Sequence, residues 1–178
     1  SKKILKTIAE NYSHFNNAGI FLWEAQDYAG AYKAWDIYTT LPEDPRMAQV
    51  GLKADADTVV AQIIFNKALA AWQVDQLDNA LVAFEQAKAK GYTKKNLYDY
   101  AISVASQANK LNVAAQYAKE AYPIYGSEDP IYLQVIVNDF PEKKEYANAI
   151  EYINGLLEKD PQNATLVDLQ GVCLENNG

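Results

Sequence analysis

Side chains able to carry chemistry are few in this chain and widely separated. His14 is the only histidine and Cys173 the only cysteine. One imidazole cannot build a multi-histidine metal centre, and one thiol cannot close an internal disulfide or a cysteine-rich zinc site. The two lie near opposite ends of the chain, so no Cys-His nucleophile is expected. Carboxylates are plentiful, but Glu24, Asp27, Asp55, Asp57, Asp75 and Asp78 fall where helices should begin or end. Caps and helix dipoles ask for acids at such places. Asp55 and Asp57 lack the alternating ligand spacing and glycine of a calcium loop. The eight glycines are scattered, with no phosphate-cradling loop. Neither enzymatic activity nor a cofactor is expected. Exposed aromatics and amides are the remaining functional currency, above all Trp23, Phe65, Trp72 and Tyr100.

Bulk composition narrows the partner. The net charge is −7, from 16 basic and 23 acidic side chains. An acidic surface repels phosphate backbones, so nucleic acid is not expected as a partner. The basic cluster Lys2, Lys3 and Lys6 reads as a solvated helix end. Apolar residues make up 49% of the chain, too many for a disordered segment. No apolar run approaches the ~18 residues that span a bilayer, so membrane insertion is not expected.

What positions these residues is a repeat. Four segments share a phrase in which Tyr or Leu precedes Ala by three residues, with an apolar residue four further on. They read Tyr28-Ala-Gly-Ala31…Trp35…Tyr38, Leu77-Asp-Asn-Ala80…Phe84…Ala87, Leu111-Asn-Val-Ala114…Ala118…Ala121 and Tyr146-Ala-Asn-Ala149…Ile153…Leu156. The anchor alanines at 31, 80, 114 and 149 are spaced by 49, 34 and 35 residues. Small side chains at such positions let two helix backbones approach closely, and the large residues at 35, 84 and 153 fill the space between pairs. Phe15-Asn-Asn-Ala-Gly19-Ile-Phe-Leu22 and Val167-Asp-Leu-Gln-Gly171-Val-Cys-Leu174 each carry a glycine in a matching first-helix slot.

These segments resemble the tetratricopeptide repeat family, with its Trp-Leu-Gly-Tyr…Ala-Phe-Ala-Pro pattern and 34-residue period. The resemblance covers nearly the whole chain and implies an all-α fold, a right-handed α-solenoid of antiparallel helix pairs with about nine helices. It implies one array over 1–178, with repeats near 12–45, 61–94, 95–129 and 130–163 and a partial fifth at 164–178. The first interval exceeds the period by 15, which places an insertion at 46–60. The helices expected are 3–25, 28–40, 58–73, 77–90, 94–108, 112–122, 130–140, 145–159 and 163–176. Gly91 and Gly126 should close two of them in a left-handed conformation, Asp55 or Asp57 should cap the helix from 58, and Pro141 should shorten the helix from 130. Ala118 stands where a bulky residue is usual, so looser packing is expected there. An unpaired last helix should leave Leu169, Val172 or Leu174 partly uncovered. A natural chain continuing past Gly178 is therefore expected, and self-association through that helix is an alternative.

In this family the first helix of each pair lines a concave surface. Carried over position by position, the resemblance implies a groove presenting Asn16, Asn17, Ile20, Trp23 and Glu24 from the first repeat. The second repeat contributes Gln62, Phe65, Asn66, Leu69, Trp72 and Gln73, and the third Asp99, Tyr100 and Ser103. Trp23 and Trp72 share one slot, Asn17 and Asn66 another. Aromatics bury much area with few rotors, and amides bond a peptide backbone. None of these positions is Lys or Arg, so the basic clamp with which some family members grip chaperone tails ending Glu-Glu-Val-Asp cannot be assembled. A non-catalytic scaffold for a protein or peptide is the function implied, with a small-molecule or glycan receptor as alternative. The acidic, Tyr- and Asn-rich composition is similar to that of exported bacterial repeat proteins, which favours export slightly over a cytoplasmic location.

Overall fold

The structure is a computed structural model and describes residues 1–126, 129–142 and 145–177. Among these residues the chain is all-α, with eleven α-helices and no strand. In order they are α1 (Lys2–Glu10), α2 (Tyr12–Glu24), α3 (Tyr28–Thr40), α4 (Pro45–Ala48), α5 (Asp57–Gln73), α6 (Leu77–Ala89), α7 (Lys95–Gln107), α8 (Leu111–Tyr125), α9 (Ile131–Glu142), α10 (Tyr146–Leu157) and α11 (Ala164–Asn177). Two compact units divide the chain, Ser1–Val104 and Ala105–Gly178.

The repeat phrase marks helix starts to the residue. α3, α6, α8 and α10 begin at Tyr28, Leu77, Leu111 and Tyr146. Their anchor alanines at 31, 80, 114 and 149 are all buried, as are Trp35, Phe84, Ala118 and Ile153 one turn later. In the first unit α2 packs on α3, α3 on α5, and α5 on α6; in the second α8 packs on α9, α9 on α10, and α10 on α11. α3 and α10 thus each meet their own first helix and the first helix of the following pair. Ala118 leaves no exposed gap, because it is itself fully buried in a unit whose largest buried side chains are Tyr117 and Tyr132.

The turn inside each pair is equally regular. Gln26, Asp75 and Asn109 occupy the left-handed region with φ of 61°, 59° and 54°, each two residues before a helix start. In all three turns two backbone bonds close the end of the preceding helix. They run from Gln26 N to Trp23 O and Asp27 N to Leu22 O, from Asp75 N to Trp72 O and Gln76 N to Ala71 O, and from Asn109 N to Ser106 O and Lys110 N to Ala105 O. This is the Schellman closure, which favours glycine at the left-handed position. The corresponding positions of the fourth pair include 143 and 144, which lie outside the described residues. A Cβ in that region costs about 1 kcal/mol, so Gln26→Gly should stabilise the first unit by roughly that amount. Urea denaturation followed by tryptophan emission checks this; an unchanged or lower midpoint would contradict it.

Several sequence expectations are corrected. The helix expected over 3–25 is broken at Asn11, whose side-chain amide donates to the Thr7 carbonyl at 2.8 Å; a side chain bonding back onto the ladder competes with its continuation. Residues 45–48 form a short extra helix, so the count is eleven and not nine. Neither Asp55 nor Asp57 caps α5, which has Ala56 at its cap position and no side-chain cap; Asp55 instead accepts a hydrogen bond from the Tyr38 hydroxyl. Gly91 is left-handed (φ 95°) as expected, whereas Gly126 ends α8 in right-handed geometry. α8 runs on through Pro123 to Tyr125, and α9 through Pro141 to Glu142. In each case the proline lies near the C-terminal end, where its missing N–H removes a single bond from a ladder about to stop. In α11, Val172 and Leu174 are about half exposed, while Leu166 and Cys173 are buried.

The segment between α3 and α5 packs against one end of the first pair. Met47 is buried, and Leu52 packs on a cluster containing Tyr12, Ala31, Trp35, Tyr38 and Ile63. Tyr12 and Tyr38 stack with ring centroids 4.4 Å apart. Burial first, then the hydrogen bond to Asp55, pushes the Tyr38 phenol far above its ordinary pKa.

One charge is buried in this unit. Lys67 is 4% exposed, and its Nζ lies 3.1 Å from Asp36 Oδ1, 3.4 Å from Thr39 Oγ1 and 3.4 Å from Gln86 Oε1. It ties α3, α5 and α6 together. Replacing such a pair by apolar volume is often neutral, whereas removing one partner strands the other. Lys67→Met should therefore leave the melting temperature nearly unchanged or raise it. Asp36→Ala should cost about 1–2 kcal/mol, less than for a fully buried partner because Asp36 is half in water. Parallel thermal melts check the pair, and equal losses would contradict it.

Candidate functional site

Two adjoining hollows lie between α2 and α5. One, of about 300 Å³, is walled by Ile20, Trp23, Glu24, Trp35, Asn66 and Leu69. The other, of about 410 Å³, is walled by Asn16, Ile20, Thr58, Val59, Gln62, Ile63 and Asn66. They share Ile20 and Asn66 and so form one trough. The helical period explains the gathering: 16, 20, 23 and 24 fall on one stripe of α2, and 58, 62, 66 and 69 on one stripe of α5.

Gly19 shapes the floor. A Cβ added there would clash with the Trp35 indole, 2.6 Å from both Cδ1 and Cε2. Absence of that carbon lets the buried Trp35 ring cross beneath α2 and reach the trough. Its Nε1 donates to Asn16 Oδ1 at 3.1 Å, which fixes the ring. Trp23 stands beside it, centroids 6.0 Å apart and tilted by 41°, with its other side on the edge of Tyr28 at 4.9 Å. Gln62 Nε2 donates to Asn66 Oδ1 at 3.1 Å, occupying that oxygen.

Of the residues expected in the groove, the structure thus gathers Asn16, Ile20, Trp23, Glu24, Gln62, Asn66 and Leu69. Asn17 is exposed on α2 but walls neither hollow. Phe65 is 4% exposed. It stacks on Tyr92 at 4.3 Å and lies 5.9 Å from Phe84 and 6.1 Å from Tyr100, so it belongs to the core behind the trough. Trp72 is half-buried against Tyr100 at 5.7 Å, and Gln73 is exposed at the end of α5. Asp99 is held by Lys95 at 2.9 Å, and the Ser103 hydroxyl donates to the Asp99 carbonyl at 2.9 Å. Phe65, Trp72, Gln73, Asp99, Tyr100 and Ser103 all lie outside both hollows. Thr58, Val59 and Ile63 join the trough from α5, and Trp35 is the least expected member. The glycine at 19 was its signal, since a missing Cβ opens the view to whatever lies beneath.

A further hollow of about 310 Å³ sits on the opposite face of α5, walled by residues that include Thr39, Glu43, Asp57, Lys67 and Lys90. Its cations are already matched, Lys67 by Asp36 and Lys90 by Asp57 at 3.2 Å. No group of three or more His, Cys, Asp or Glu among the described residues could hold a metal ion. His14 is exposed, and burial pushes the Cys173 thiol above its ordinary pKa, which disfavours the thiolate needed for attack. No helix among the described residues is long and apolar enough to cross a membrane.

No family model matches the chain, and no curated protein does. Among solved structures the chain is similar to one titled "Crystal structure of MamA protein", at 18% identity and a TM-score of 0.45, over 87% of this chain and 94% of that one. What defines the fold is internal to the chain: a helix pair, closed by the same left-handed turn, set down again and again.

Proposed function

We propose that this chain is a non-catalytic scaffold that holds a segment of another protein in the trough between α2 and α5. The observation that supports it is the pairing of an uncovered apolar surface with amides. Ile20 is 45% exposed and lies between Trp23 and Leu69 on one side and Asn16, Gln62 and Asn66 on the other. Apolar anchors supply area, and side-chain amides satisfy a peptide's backbone groups. Neither hollow is walled by Lys or Arg, so the proposed ligand is not a chaperone tail ending Glu-Glu-Val-Asp.

Selection of binders from a random peptide library by the immobilised chain tests this reading. Enriched peptides should carry a bulky apolar residue and lose affinity at least about tenfold for Ile20→Asp, a change of about 1.4 kcal/mol or more. Ile20 is exposed enough that the variant should keep its far-ultraviolet circular dichroism. A tail peptide ending Glu-Glu-Val-Asp should not bind. Failure to enrich any peptide, together with a higher melting temperature in saccharides, would replace the scaffold by a glycan receptor.

A further inference from the structure

Resting on that reading, we propose that the trough takes an arginine side chain of the bound segment, seated against Trp23 and paired with the Glu24 carboxylate. Three observations converge on a cation. Glu24 is the only ionisable residue walling either hollow. No lysine or arginine among the described residues pairs with it, whereas Asp36, Asp44, Asp57 and Asp99 all have basic partners. Its own hollow is walled by two indoles, Trp23 and Trp35. An aromatic wall attracts cations through its quadrupole, and a carboxylate at its rim completes the recognition.

Arginine fits these walls better than other cations. A guanidinium is planar, more weakly hydrated than an ammonium, stacks on an indole and bonds a carboxylate through two parallel N–H groups. Its three-carbon stem can lie along Ile20 and Leu69 on the way in. The rest of the molecule agrees, since a chain of net charge −7 draws basic segments from a distance. Two other hollows lack this chemistry. The one facing Lys67 holds matched charges, and one in the second unit, walled in part by Tyr122, Asp160 and Asn163, has no Trp.

Three capped peptides taken from a library binder, identical except for arginine, citrulline or glutamate at one position, test the proposal by tryptophan emission. Citrulline keeps the shape and removes the charge. The arginine peptide should bind at least about tenfold tighter than the citrulline peptide, and the gap should close in Glu24→Gln. Glutamate should bind weakest. Equal affinities for arginine and citrulline, or a gap that survives in Glu24→Gln, would overturn the arginine site while leaving the trough as a peptide groove. No binding of any of the three would sink both readings. Free N-acetyl-arginine amide binding as tightly as the peptide would overturn a peptide as the source of the guanidinium.

Discussion

Gly19→Ala should destabilise the first unit by about 3 kcal/mol, although alanine is the better helix former. The added methyl would press on the Trp35 indole at 2.6 Å from Cδ1 and Cε2, and that ring has nowhere to go. It is 2% exposed, bonded to Asn16 and packed within the cluster of Tyr12, Tyr38 and Ile63. Shifting it breaks the hydrogen bond and opens a void at the same time. The chain carries its own reporter, because Trp23, Trp35 and Trp72 all lie in the unit Ser1–Val104. Urea denaturation followed by tryptophan emission therefore reads this unit directly. Gly155→Ala and Gly171→Ala provide the opposite sign. A Cβ at either meets nothing within 4 Å, so each should gain up to about 1 kcal/mol of helix propensity, read by circular dichroism. If Gly19→Ala keeps the wild-type midpoint, the floor of the trough is not built as described. Combining it with Trp35→Leu should cost less than the sum of the single changes, the signature of two residues sharing one space.

Phe65→Ala should be at least as damaging, at about 3–5 kcal/mol. Its ring lies within about 6 Å of Phe84, Tyr92 and Tyr100, so it joins α5 to α6 and α7. Truncation leaves a cavity among rigid rings that cannot collapse to fill it. Trp72→Ala, half-buried beside Tyr100, should cost clearly less. A thermal melt followed by tryptophan emission should show Phe65→Ala lowered by about 10 °C or more. A shift as small as that of an exposed-site variant would return Phe65 to the groove surface.

Phe65 also shows where reading the chain from its residues runs out. The repeat register was legible because anchor alanines, glycines and large residues recur at fixed spacing; the alanines, Trp35, Phe84, Ile153 and Gly19 proved to be buried, whereas Gly171 is exposed. The place of Phe65 was not legible, because it sits at the margin of a wide buried arc of α5 that also holds Val60, Ile63, Ile64, Ala68 and Ala71, beside the less buried stripe of Gln62, Asn66, Leu69 and Gln73. Where the apolar arc of a helix is this wide, phase does not separate a buried aromatic at its edge from an exposed one. The left-handed turns were hidden for a different reason. Gln, Asp and Asn stand where glycine would have advertised the geometry, so only the equal spacing betrays them. The 41–56 segment has no period of its own, and the places of Met47, Leu52 and Asp55 are set by side chains distant in sequence. Half of the groove survived because Ile20, Asn66 and Leu69 needed only helical phase to be placed; Trp35 needed knowledge of what Gly19 admits.

The turn within each pair has a consequence for how this chain can change. A three-residue connection whose middle residue is locked left-handed has no slack, and one extra residue there would rotate the second helix out of register with its alanine. The passage from α3 to α5, by contrast, accommodates a 3-10 turn, a short helix and an extended stretch while both flanking helices stay packed on each other. Length variation is thereby channelled to a single type of junction. Anyone grafting a new recognition loop onto this scaffold has the same choice to make, and the exposed stretch at Lys53 and Ala54 is the place to begin.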